Sequence, residues 1–176
     1  MPSAFGKPVT TANRFGVAAA FINKYAILYG DSADGLSGSA WTKRTISGED
    51  YDPSNIVSVA SSVFTLGAGT FLITATAEVS TAGSTFYFVG TWQTRIRDTT
   101  NGATVILGLS NGNSLYSTDT KGNGTSLCEG TVTTTGSTNF ELQHWAVLNN
   151  GSISGGRASG AGVGDRYVKI TIIQIA

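Results

Sequence analysis

From residue 22 onward the apolar residues recur with a period of two, and this constrains the chain more than any other feature. In the segment 69–80, Phe71, Ile73, Ala75, Ala77 and Val79 alternate with Leu72, Thr74, Thr76 and Glu78. Successive side chains of an extended backbone point to opposite faces, so the first set lines one face of a strand. The same texture predicts strands over 25–29, 40–46, 56–66, 85–98, 104–110, 125–134, 139–148 and 166–175. No stretch carries an apolar stripe at helical spacing, and no long internal repeat is present. The pairs Asn101-Gly102, Asn111-Gly112, Asn123-Gly124 and Asn150-Gly151 tolerate positive φ and read as tight turns between antiparallel strands. Two of them continue as Asn123-Gly124-Thr125 and Asn150-Gly151-Ser152, which match a glycosylation sequon but are read as hairpin turns. About eight or nine strands so spaced predict an all-β antiparallel sandwich or barrel.

Composition sharpens this. The 176 residues carry 11 Lys plus Arg against 11 Asp plus Glu, and charged residues make up 12%. A neutral, sparsely charged chain lacks the excess of cations that gripping nucleic acid requires. It is also too apolar for disorder. One domain is expected, over residues 22–176. Residues 1–21 differ: Pro2 and Pro8 remove donors, Gly6 and Gly16 loosen the backbone, and no apolar period is sustained. They read as an extended N-terminal arm, and Phe5, Phe15 and Phe21 are its candidate docking residues. The apolar run from Phe15 to Ile22 is far shorter than the ~18 residues of a membrane span. It makes a poor signal peptide, so synthesis in a cytoplasm and no membrane partner are expected.

Several strands are apolar on both faces. In 139–148, Phe140, Leu142, His144, Ala146 and Leu148 share one face, while Trp145 and Val147 occupy the other. Phe86, Tyr87 and Phe88 are consecutive and so supply aromatics to both faces. The last strand has Val168, Ile170 and Ile172 on one side and Tyr167, Ile173 and Ile175 on the other. Either loops cover these strands, or another subunit buries the second face. The scarcity of charge favours the subunit.

Catalytic chemistry is sparse. His144 is the only histidine and falls on an apolar strand face, where a packed imidazole is expected rather than a general base. Cys128 is the only cysteine; it can form no intrachain disulfide and reads as a small packed side chain. Asp31, Asp34 and Gly35 resemble a fragment of a calcium loop but lack its ligand spacing and closing Glu, so they read as a polar surface loop. Glu49, Asp50 and Asp52 read as a solvated acidic loop, and the Gly-rich stretch 154–164 as a mobile loop without a phosphate-binding signature. Arg95 and Arg97 share a strand face beside Trp92 and Gln93, read as a polar strand face rather than a ligand platform. No catalytic residue, metal site or cofactor is predicted.

The segments Ala40-Trp41-Thr42-Lys43-Arg44-Thr45-Ile46, Phe64 to Ile73, Trp92 to Thr100, Phe140-Glu141-Leu142-Gln143-His144, Gly155-Gly156-Arg157-Ala158 and Tyr167 to Ile175 together resemble a family of short phage structural proteins and fibre ends. Such domains are similar to the jelly rolls of tumour necrosis factor and the complement globular heads: two packed antiparallel sheets assembled as trimers. The resemblance runs from about Tyr25 to the end. One departure is mild, Asp165-Arg166-Tyr167 standing where Glu-Val-Tyr is usual. Another carries more weight: no collagen repeat, heptad stalk or tail-attachment domain precedes the sandwich.

The resemblance therefore implies a virion protein of the capsid surface. Three copies would form a decoration or cement knob, closed by Phe86, Phe88, Trp92, Trp145 and Tyr167, with the arm reaching the major capsid protein. The alternative it leaves open is a receptor-binding knob of a tail or head fibre, recognising a host glycan through loops near Asn111, Asn150 and Gly156. A cupin-like or lectin-like enzyme lacks its usual ligands here.

Overall fold

The strand expected over 69–80 runs on to residue 83 and stands near the middle of one sheet. The computed structural model describes residues 24–36, 40–83, 88–115, 120–148, 152–156 and 164–176. In chain order its strands are β1 (Tyr25–Gly30), β2 (Thr42–Lys43), β3 (Gly48–Tyr51), β4 (Val57–Ala60), β5 (Val63–Leu66), β6 (Gly69–Gly83), β7 (Phe88–Asp98), β8 (Ala103–Leu107), β9 (Asn111–Leu115), β10 (Thr120–Thr134), β11 (Thr138–Leu148), β12 (Ser152–Ser154) and β13 (Val168–Gln174). One sheet has the order β10-β6-β13-β1-β3, with β12 also on β6. The other has the order β4-β5-β11-β7-β8, with β2 on β11 and β9 on β7. All pairings are antiparallel. The first strand lies beside the last, and the chain crosses between the sheets repeatedly, among other places from β5 to β6, β6 to β7, β9 to β10 and β10 to β11. This is an all-β, two-sheet jelly roll: the alternation predicted an antiparallel sandwich or barrel, and the resemblance implied the jelly roll.

The period of two explains the layers. Phe71, Ile73, Ala75, Ala77 and Val79 of β6 are buried, whereas Leu72, Thr74, Thr76 and Glu78 between them are half-buried on the outer face. From the facing sheet, Ile96 of β7 and Phe140 and Leu142 of β11 complete one core with Leu28, Phe64, Ile170 and Ile172. Each such side chain stabilises by about 1.5–3 kcal/mol when fully buried. Phe64 and Phe140 stack across β5 and β11 with ring centroids 5.4 Å apart.

Several elements differ from the sequence reading. The single strand expected over 56–66 is the hairpin β4–β5, turning at Ser61 and Ser62, whose φ values are 51° and 61°. Two adjacent positive φ angles match the twist of a two-residue hairpin loop, but serine does not announce it. Over 40–46 only Thr42 and Lys43 pair, because Arg44 turns inward. Asn111-Gly112 and Asn123-Gly124 are not turns; they lie within β9 and β10. At Gly124 the sheet interior supplies the reason, since a Cβ there would stand 2.3 Å from Trp92 Cζ2. Asn101-Gly102 does form a turn, with Gly102 at φ 74°. Glu49, Asp50 and Asp52 are not a solvated loop: the first two belong to β3, Asp50 pairs with Arg166 at 3.1 Å, and Asp52 accepts from the backbone of Ile56 and Val57 at 3.0 Å each. The pair Asn150-Gly151 and the N-terminal arm lie outside the described residues.

Candidate functional site

Arg44 is fully buried, which nothing in the polar run Thr42-Lys43-Arg44-Thr45 announces. Its position follows from β2: Lys43 pairs with Gln143 and Thr42 with His144, and the next amide, that of Arg44, donates to Leu142 O at 2.8 Å. The side chain then enters the space between the sheets. There Nε donates to Asp34 Oδ2 at 3.1 Å, one terminal nitrogen donates to Glu78 O and to His144 Nδ1 at 2.8 Å each, and the other donates to Gly155 O. Asp34 also accepts from Thr45 N at 2.7 Å and Thr45 Oγ1 at 2.6 Å, and its carbonyl accepts from Gly155 N at 2.6 Å. Burial lowers the Arg44 pKa, with Asp34 opposing the shift. Gly155 is required, because a Cβ there would stand 2.5 Å from Arg44 Cζ.

His144 takes its character from this hub. Burial first, and the Arg44 charge second, push its pKa down to about 3, against the pull of Asp34. It is a neutral, packed imidazole, in keeping with its place on an apolar strand face. Asp34 is occupied by Arg44 and Thr45, and Asp31 accepts from Ser47 Oγ, so both carboxylates of the apparent calcium-loop fragment have protein partners. Among the described residues no group of three or more His, Cys, Asp and Glu side chains converges to hold a metal ion. Cys128 is buried, and desolvation raises its thiol to about 11, far from a nucleophile. Arg95 stacks over Trp41 at 4.2 Å and donates to Gln143 Oε1 at 2.9 and 2.7 Å, which accounts for it structurally.

Of the aromatic residues singled out as interface candidates, the side chains of Trp92, Trp145 and Tyr167 are described. Trp92 is only 4% exposed and packs within the chain against Val79, Ala146 and Leu36. Tyr167 is buried beside the start of β13, its amide donating to Gly30 O at 2.8 Å. Trp145 is half-buried on the opposite face of β11 from His144. Phe5, Phe15, Phe21 and Phe86, and the side chain of Phe88, lie outside what the structure describes.

At one pair of sheet edges the exposed apolar side chains are aliphatic. On β8 and just beyond it, Val105 and Leu107 are 38% and 58% exposed and Leu109 is 78% exposed, while Ile106 between them is buried. Leu127 of β10, 44% exposed, lies at the matching edge of the other sheet. The two edges adjoin, since a Cβ on Gly108 would stand 2.4 Å from Leu127 O. The alternation Val105, Leu107, Leu109 was visible in the sequence, but which parity faced solvent was not. On the outer face of the first sheet, a cleft of about 270 Å³ is lined by Thr76, Glu78, Thr125, Arg166 and Lys169 among others.

No family model matches the chain. No curated protein matches it either. Among solved structures it is similar to the globular domain of zebrafish complement 1qA protein, at 8% identity and a TM-score of 0.42, over 87% of this chain and 98% of that one.

Proposed function

We propose that the chain is a structural knob that works by self-association and attachment rather than by catalysis. The carrying observation is the aliphatic edge: Val105, Leu107, Leu109 and Leu127 are exposed where two sheet edges adjoin. A soluble domain gains nothing by exposing contiguous large aliphatics at an open edge unless a partner covers them. In this reading three copies assemble as a capsid decoration or cement protein on a virion surface. The arm, residues 1–21, reaches the major capsid protein through Phe5, Phe15 and Phe21. Trimerisation joins three weak attachments into one avid one.

Light scattering at micromolar concentration tests the assembly. A mass near three times 18.2 kDa is expected, and a monomer overturns the self-association. Deleting residues 1–21 is expected to preserve the trimer and abolish co-sedimentation with capsids; retained binding assigns attachment to the knob.

The cleft between Glu78, Arg166 and Lys169 favours a second reading, a receptor-binding knob of a tail or head fibre. Charged groups and the hydroxyls of Thr76 and Thr125 suit a polar host glycan. Binding on a glycan array without capsid binding selects it over decoration.

A further inference from the structure

Arg44 dictates where His144 carries its proton. A guanidinium only donates, so the 2.8 Å contact makes His144 Nδ1 an acceptor. The neutral ring then holds its proton on Nε2, and Nε2–H is a donor. That atom is buried and has no hydrogen-bond partner in the protein. Trp92 Nε1–H, a donor by constitution, is the other buried side-chain polar atom in this condition among the described residues. His144 and Trp92 are 1% and 4% exposed.

The sheet register brings the two together. His144 on β11 lies opposite Thr94 on β7, and Ala146 lies opposite Trp92, so His144 and Trp92 are diagonal neighbours on the same inward face. Diagonal residues sit about 7–8 Å apart, within reach of ring side chains. The six-membered ring of Trp92 packs over Gly124 of the facing β10, with Cζ2, Cη2 and Cε2 its nearest atoms, and Nε1 is bonded to Cε2. Two residues along β10, Ser126 Oγ bonds Thr94 Oγ1 at 2.8 Å, and both residues are fully buried. Two N–H donors and a hydroxyl pair thus lie on the inward faces of β7, β11 and β10, next to the Arg44 hub. Leaving both donors unpaired would cost about 1–3 kcal/mol each.

We propose that these groups bind a single water molecule, which accepts from His144 Nε2–H and Trp92 Nε1–H and donates to the Thr94–Ser126 hydroxyl pair. Water fits because it both accepts and donates, and buried waters typically make about three hydrogen bonds. A halide is disfavoured, because Arg44 is already paired with Asp34 and an anion would be buried without a counter-charge. The water extends the Arg44 hub from His144 to Trp92 and from one sheet to the other.

Long-range proton–nitrogen correlation and water-to-protein Overhauser spectra of the full-length ¹⁵N-labelled chain test this directly, in chloride and in sulfate buffers. The expected result is a His144 ring protonated on Nε2 only, with cross-peaks from long-lived water to both the imidazole and the Trp92 indole protons, unchanged between buffers. In Trp92→Phe the His144 tautomer should persist while its Nε2 proton resonance shifts. A proton on Nδ1, absence of the water cross-peaks, or resonances that follow the chloride concentration would each overturn the proposal. The wild-type spectra decide even if the variant does not fold.

Discussion

At the scale of single residues, Arg44 shows how one charge can be held inside a sandwich. Its Nε, both terminal nitrogens and main-chain amide all find acceptors, from four separate segments of the chain. Removing the guanidinium leaves the Asp34 carboxylate without its counter-charge, and two carbonyls and His144 Nδ1 without the donor that Arg44 supplies. Arg44→Met is therefore expected to cost about 3–5 kcal/mol, read as a lower urea midpoint. His144 supplies a pH dependence. Unfolded, it titrates near 6.5; folded, it is held down to about 3. Between those values the unfolded chain binds the proton and the folded chain does not. Stability from this group is thus complete above pH 6.5 and declines as the pH falls toward 3, by at most about 1.4 kcal/mol per pH unit. His144→Gln keeps an acceptor for Arg44 but cannot titrate in this range. Its urea midpoint should fall less steeply than that of the wild type from about pH 6.5 to 4; parallel curves would show that other groups carry the dependence.

At the scale of elements, glycine and turn chemistry decide local geometry. Gly155→Ala would drive a Cβ into the guanidinium carbon of Arg44, and overpacking of this kind costs about 1–3 kcal/mol. Gly136, where a Cβ meets nothing within 4 Å, offers the control: Gly136→Ala should leave the midpoint nearly unchanged. The β4–β5 hairpin offers a gain. Ser61 and Ser62 both sit at positive φ, so Ser61→Asn with Ser62→Gly should raise the midpoint by roughly 1 kcal/mol in stability. This hairpin also shows why part of the fold was illegible. Its turn is made by serines, while two Asn-Gly pairs that look like turns are strand residues held by partners far along the sequence: Gly124 opposite Val79, and Gly112 opposite Thr91. Turn propensity is local and weak, and a 15-residue ladder between β6 and β10 outweighs it.

At the scale of the whole molecule, the scarcity of charge bears on assembly. If the aliphatic edge at Val105, Leu107, Leu109 and Leu127 joins the copies, the association is hydrophobic. Its mass by light scattering should then hold from about 0.05 to about 1 M salt, where ion pairs between exposed groups are screened. Leu107→Asp with Leu109→Asp is expected to reduce the mass to that of one chain while circular dichroism stays that of a β protein. An unchanged mass would place the contact elsewhere.

The sequence by itself determined the class of fold. Alternation such as Phe71, Ile73, Ala75, Ala77 and Val79 is a property of consecutive residues, and burying one face of each strand leaves few arrangements besides two packed sheets. It also made His144 a packed side chain, because its neighbours on that face are apolar. Only the tertiary structure decided that Arg44 is interior, that Trp92 and Tyr167 are covered within one chain, and that Leu107 and Leu109 are bare. Those outcomes depend on which edge is left unpaired and on which distant carbonyls and carboxylates surround a side chain. Both are set by pairings between segments a hundred or more residues apart, such as Arg44 with His144 and with Gly155, and no local pattern encodes them.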